Sequence, residues 1–178
     1  MSSAEHLRLF IGTSLDAGTR DHVKQNLPGS VNLADLRWLP AEQWHITTLF
    51  MGNWPADRLD EAMVALLSSA TRTAPFMLRD GRACGMPEEG PTMLWVRFLP
   101  EPAHRQLHVA LAGSLGLPPD ERDPFWPHIT LARGQQVPAV LGDLVLDHFR
   151  VEQLTLFRSD PAPQGTVHSP LMTVPLEG

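Results

Sequence analysis

The tripeptide His-Ile-Thr occurs twice, at 45–47 and at 128–130, each time at the head of an apolar segment. Read as a strand, His45 and Thr47 share one face while Ile46 enters the opposite layer. His128, Thr130 and Ile129 repeat that pattern, and Leu49, Phe50 and Leu131 supply apolar residues for packing. One such copy constrains little, because Thr favours strands and His is often only solvated or buried. Two copies, in halves that each also carry a helix of similar length, predict two related units facing each other.

The rest of the chain fits that expectation. Strands are predicted over 7–11, 45–50, 76–78, 93–99, 128–132, 149–157 and 171–176, with a short extended piece at 37–40. Helices are predicted over 17–27, 57–70 and 101–115. On the last of these, Ala103, Leu107, Ala110 and Leu111 form the expected buried stripe. The stretch 81–91, rich in Gly, Pro and Glu, reads as a loop. The fold class expected is α+β, with 1–178 as a single bilobed domain. Two antiparallel sheets related by a pseudo-twofold axis would carry helices on their outer faces and enclose a central cleft.

Composition narrows the function. Hydrophobic residues make up 43 % and charged residues 19 %, as in a globular protein. A net charge of −6 argues against broad, sequence-independent nucleic-acid binding, though a narrow site gripping one terminal phosphate remains open. Cys84 is the only cysteine, which excludes an intramolecular disulfide and a cysteine-only zinc site. No apolar h-region follows Met1 and no apolar run approaches membrane-spanning length, so a cytoplasmic chain without membrane contact is expected.

Two imidazoles facing each other across a cleft, each beside a hydroxyl, suit in-line displacement at phosphorus. A neutral histidine takes the proton of the attacking water and a protonated one gives a proton to the departing oxygen. The Thr hydroxyls donate to the non-bridging oxygens as charge accumulates. A strained five-membered cyclic phosphate needs mainly such acid–base help, so neither metal nor cofactor is expected.

The segments 37–40 and 45–52 resemble the first motif region of the 2H phosphoesterases, and Pro127 to Arg133 is similar to their second. The RNA 2′,3′-cyclic phosphodiesterase branch (LigT or ThpR type) is nearest, with further likeness at 8–11, 93–96 and 156–159. The resemblance implies that His45 protonates the leaving 3′ oxygen and His128 activates water, giving a 2′-phosphate. It implies phosphate contacts from Thr47 and Thr130, and some members bind phosphate at the Arg133 position. Strand parity puts Arg133 opposite His128, so reaching the cleft requires a bulge or a strand end. The expected partner is an RNA end, or a nucleoside, carrying a 2′,3′-cyclic phosphate, acted on by a monomer. Some relatives also join RNA ends through a 2′–5′ bond. The chain departs from the family in having no Tyr, with His168 near where one is common.

Other residues admit two readings. His104 and His108, spaced i, i+4, could ligate a metal, but a solvated helix face is expected. Phe10 could stack on a base or belong to the core. Trp38, Trp44, Trp95 and Trp126 could wall the cleft or simply pack, and Arg158 could meet a phosphate or solvent. Cys84 lacks a neighbouring base, which disfavours a cysteine nucleophile. The rival functions are a two-histidine enzyme for another cyclic nucleotide or a 2′–5′ oligonucleotide, and a nucleotide-binding module without turnover.

Overall fold

A computed structural model describes residues 5–27, 36–122, 124–135, 137, 140–163 and 165–178. In chain order the elements are β1 (His6–Ser14), α1 (Ala17–Gln25), β2 (Arg37–Trp38), β3 (His45–Pro55), α2 (Leu59–Ala70), β4 (Phe76–Met86) and β5 (Met93–Arg97). They continue with α3 (Pro102–Ser114), β6 (His128–Arg133), β7 (Val140–Val151), β8 (Gln153–Ala162) and β9 (Gly165–Pro175).

The strands run antiparallel in the order β7-β4-β5-β6-β3-β1-β8-β9, with β2 beside β6. Two four-stranded halves therefore meet at a seam between β6 and β3, where Ile46 pairs with Ile129. The two expected sheets are the halves of one open sheet, and the His-Ile-Thr strands are its innermost pair. Each is preceded by a strand and a helix, β1–α1 in one half and β5–α3 in the other, so the structural counterpart of α3 is α1. Helix α2 links the halves.

The helices end and begin as their chemistry directs. Asp16 caps α1 through Thr19 N–H at 2.9 Å. Glu101 caps α3 through Ala103 N–H at 3.1 Å, and Pro102 occupies its first turn. Helix α1 packs on β7, α3 on β3 and α2, and α2 on β8 and β9. Leu66, Leu111, Ile46, Ile129, Leu94 and Leu156 are among the fully buried side chains of one apolar cluster. No helix among the described residues is long and apolar enough to cross a membrane.

Two strand predictions need correction. β4 continues through the expected loop to Met86, where Gly81 serves close packing instead of a turn. A Cβ at Gly81 would lie 2.8 Å from the Leu146 carbonyl oxygen and 2.8 Å from the Phe98 ring. The single strand expected over 149–157 is two, since the chain leaves β4 at Val151 and resumes as β8, paired with β9 from Gln153 and with β1 from Thr155.

Candidate active site

With Ile46 opposite Ile129 in an antiparallel pair, His45 lies across from Thr130 and Thr47 across from His128. Both ladders then slip at the same place. Thr48 is an extra residue against β1, since Ile11 pairs with Leu49 and Gly12 with Thr47. Leu131 is the extra residue against β5, since Leu94 pairs with Ala132 and Trp95 with Thr130. Each bulge reverses the strand's parity. The burial of 45–50 and of 128–133 is accordingly identical: half-buried, buried, half-buried, buried, buried, exposed.

The bulge brings the fifth residue after each histidine onto the histidine's own face, Phe50 in one strand and Arg133 in the other. Arg133 thus reaches the cleft through the irregularity that strand parity required. Gly12 permits the slip in β3, because a Cβ there would lie 2.5 Å from the Ile46 carbonyl oxygen.

The two imidazoles are held alike. His45 Nδ1 lies 2.7 Å from the Gln43 carbonyl and His128 Nδ1 lies 3.0 Å from the Trp126 carbonyl. A carbonyl only accepts, so each Nδ1 carries the proton and each neutral ring keeps Nε2 as its basic atom. The rings are braced differently. Trp95 stacks flat on His128, with centroids 3.6 Å apart and planes 11° apart. Phe10 tilts against His45 at 4.6 Å, and His168 meets His45 edge-on at 5.0 Å.

A cavity of about 260 Å³ is lined by His45, Thr47, Thr130, Arg133, Arg8, Arg37, Phe10, Phe50 and His168, among others. No Asp or Glu is among the described residues lining it, so three arginines face it in a chain of net charge −6. A second cavity of about 250 Å³ opens beside His128, Trp95, Trp126, Phe125 and Arg122, and shares Thr47 and Phe50 with the first.

Residues 24–163 match the 2′-5′ RNA ligase superfamily. The chain belongs to that superfamily. It is 32 % identical over 154 residues to a Thermus thermophilus protein named RNA 2′,3′-cyclic phosphodiesterase, covering 79 % of this chain and 75 % of that one. A Geobacillus stearothermophilus protein of the same name is 31 % identical over 134 residues, which are 69 % of this chain and 42 % of the relative. Among solved structures, TT0787 of Thermus thermophilus superposes with a TM-score of 0.82 at 25 % identity, covering 97 % of this chain and 99 % of that one. The apo form of E. coli LigT, at 24 % identity, shares the fold with a TM-score of 0.79, covering 98 % of this chain and 100 % of LigT.

Burial sets the electrostatics of this superfamily cleft. It lowers the pKa of His45, against the opposing pull of the Gln43 carbonyl. It pushes His128 down to about 4, opposed by the Trp126 carbonyl and assisted by the charges of Arg122 and His45. His168 also falls to about 4, through burial and then the charges of His45 and Arg8. Desolvation leaves both motif imidazoles neutral near pH 7, and an anion between them favours protonation.

The remaining residues sort by position. Phe10 lines the cavity but is 2 % exposed, its ring stacked on Phe157 at 4.8 Å, so it supports His45 more than it faces a ligand. Arg158 pairs with Asp160 at 2.7 Å, while Ser159 bonds His168 Nδ1 at 2.9 Å. Burial raises the Cys84 pKa, which keeps the thiol protonated. His104 and His108 contradict the solvated face expected for them: they are 1 % and 4 % exposed. Arg8, Arg37 and Gln43 were assigned no role from sequence. A signal existed for Arg37, four residues before the 3-10 turn that leads into His45, but its pairing with Arg133 across β2 and β6 is tertiary.

Proposed function

We propose that this cleft hydrolyses the 2′,3′-cyclic phosphate at an RNA end to a 2′-phosphate, with the chain working as one bilobed unit. The observation that carries the reading is the pair of histidines with Nε2 as the basic atom, set beside two threonines, with an arginine-lined cavity at His45 that has no carboxylate among the described residues lining it. The names of the relatives in Thermus and Geobacillus point the same way.

His128 takes a proton from water, which attacks phosphorus as the bond to O3′ breaks, and protonated His45 delivers a proton to O3′. Thr47 and Thr130 donate to the non-bridging oxygens, and Arg133 offsets the growing negative charge. Burial has already lowered the basicity of both imidazoles, so the anionic substrate itself supplies the field that keeps one of them protonated. The same ring opening, with an RNA 5′-hydroxyl attacking phosphorus in place of water and O3′ again leaving, would form a 2′–5′ bond from the same arrangement.

The test offers nucleoside 2′,3′-cyclic phosphates, short RNAs with a cyclic end, and 2′–5′ linked dimers to EDTA-treated protein, with products read by ³¹P NMR. Turnover of the cyclic ends to 2′-phosphates is expected. A 3′-phosphate product, or a need for added divalent ion, overturns the mechanism, and turnover confined to the 2′–5′ dimers moves the substrate assignment to those.

A further inference from the structure

We infer that His108 is a positioning residue: a neutral imidazole strut that holds the bulge of the first His-Ile-Thr strand and ties it to the loop leading into the second. The inference rests on the cleft being the reactive site, and concerns how its two halves are kept in register.

His108 lies on α3, behind β3 and outside the acid–base pair. Its Nδ1 is 2.8 Å from the carbonyl oxygen of Thr48, the extra residue of the bulge. Its Nε2 is 2.8 Å from the backbone N–H of Asp120. The first contact requires a proton on Nδ1 and the second requires none on Nε2, so only one neutral tautomer satisfies both. Protonating the ring would set an N–H against an N–H.

The two bulges solve the same problem by different means. An extra residue leaves a backbone group to be paired outside the ladder, and buried carbonyls are seldom left unpaired. In β6 the Leu131 carbonyl receives the backbone N–H of Leu39 at 2.9 Å. In β3 the Thr48 carbonyl receives a side chain, that of His108. A side chain has a second end, and here that end accepts from the backbone N–H of Asp120, beyond α3. Six residues further along the chain, the Trp126 carbonyl fixes His128 Nδ1.

Neighbouring His104 does not share this role. Its Nε2 is 3.4 Å from the Thr48 hydroxyl, its Nδ1 is buried with no hydrogen-bond partner among the described residues, and burial drives its pKa to about 3. It is a packing imidazole. A metal reading of the pair fails on geometry, because both nitrogens of His108 are engaged by the backbone.

Three variants separate the strut's ends. In His108→Asn the amide N–H replaces Nδ1 and keeps the Thr48 contact. In His108→Gln the side-chain oxygen reaches Asp120 while the Thr48 carbonyl is abandoned. His108→Phe keeps the volume and neither bond. Each is read by circular dichroism, by kcat and KM on a cyclic phosphate, and by the affinity of inorganic phosphate followed on the His45 and His128 ring resonances.

The expected result is a loss in kcat of about 10- to 100-fold for His108→Phe, since small misplacements of reacting groups cost that much. His108→Asn and His108→Gln, each lacking one end of the strut, should both fall between the Phe variant and wild type in kcat and in phosphate affinity. Wild-type kcat and phosphate affinity in either folded single-end variant overturn the inference. If the Phe variant does not fold, the Asn and Gln variants still decide. The phosphate titration needs no turnover, so failure of the substrate assignment is distinguished from failure of the strut.

Discussion

From His45 to Phe50 and from His128 to Arg133 the backbone follows one plan, with the same burial pattern, the same bulge and the same carbonyl on Nδ1. The surroundings diverge. The fifth residue is Phe on one side and Arg on the other. At the position beside the Thr, β1 contributes Gly12 and β5 contributes Trp95. The first histidine borders a cavity ringed by arginines, while the second is pressed against an indole. Duplication thus accounts for the placing of the imidazoles, and unpaired substitutions account for the difference between them.

The largest expected effect tests what the halves share. His45→Ala and His128→Ala should each lower kcat by about 10²–10⁴-fold, the usual contribution of a general acid or base. A substrate with a better leaving group than ribose separates the roles. It should rescue His45→Ala far more than His128→Ala, and the opposite pattern exchanges acid and base.

A smaller effect tests where the halves part. If Arg133 binds phosphate as proposed, Arg133→Ala removes a charged donor worth about 1.5–3 kcal/mol or roughly 10- to 150-fold in KM. Phe50→Ala, its counterpart, should change KM for a mononucleoside cyclic phosphate by no more than a few-fold. Steady-state kinetics giving equal losses for the two variants would remove the asymmetry.

The smallest effect is a displacement in pH. Burial holds the free-protein pKa of both imidazoles below 6.5, and that of His128 at about 4. In the proposed mechanism only the singly protonated pair is competent, so the kcat/KM optimum, which reports the free protein, should lie on the acid side of 6.5. Bound phosphate stabilises the imidazolium, so the kcat optimum should stand at higher pH by about one unit. Coincident profiles would mean that desolvation does not set these values.

The halves were legible in the sequence because their signal is local: two tripeptides with apolar tails report two strands and their faces. The bulges were legible only as a requirement, imposed by Arg133, because parity shows a mismatch without saying where the ladder absorbs it. His104 and His108 were misread because helical periodicity ranks polar residues as outward-facing, whereas the carbonyl left over from the bulge draws His108 inward and His104 packs beside it. The run 149–157 was misread because apolar residues flank the break on both sides, Phe149 and Val151 before it and Leu154 to Phe157 after it, and only Glu152 separates the two partners.

That change of partner also bears on how the protein assembles as it is made. Strands β4 to β7 are consecutive in the chain and complete the half containing His128. The half containing His45 begins with β1 but lacks β8 and β9 until every strand of its companion has been synthesised. On the ribosome, β1 and β3 must therefore wait with an unpaired apolar edge while the later half closes. Pairing across so long a separation is slow, and exposed edges invite aggregation. The wait is spent beside a finished neighbour, whose innermost strand β6 offers the Ile129 partner that Ile46 requires.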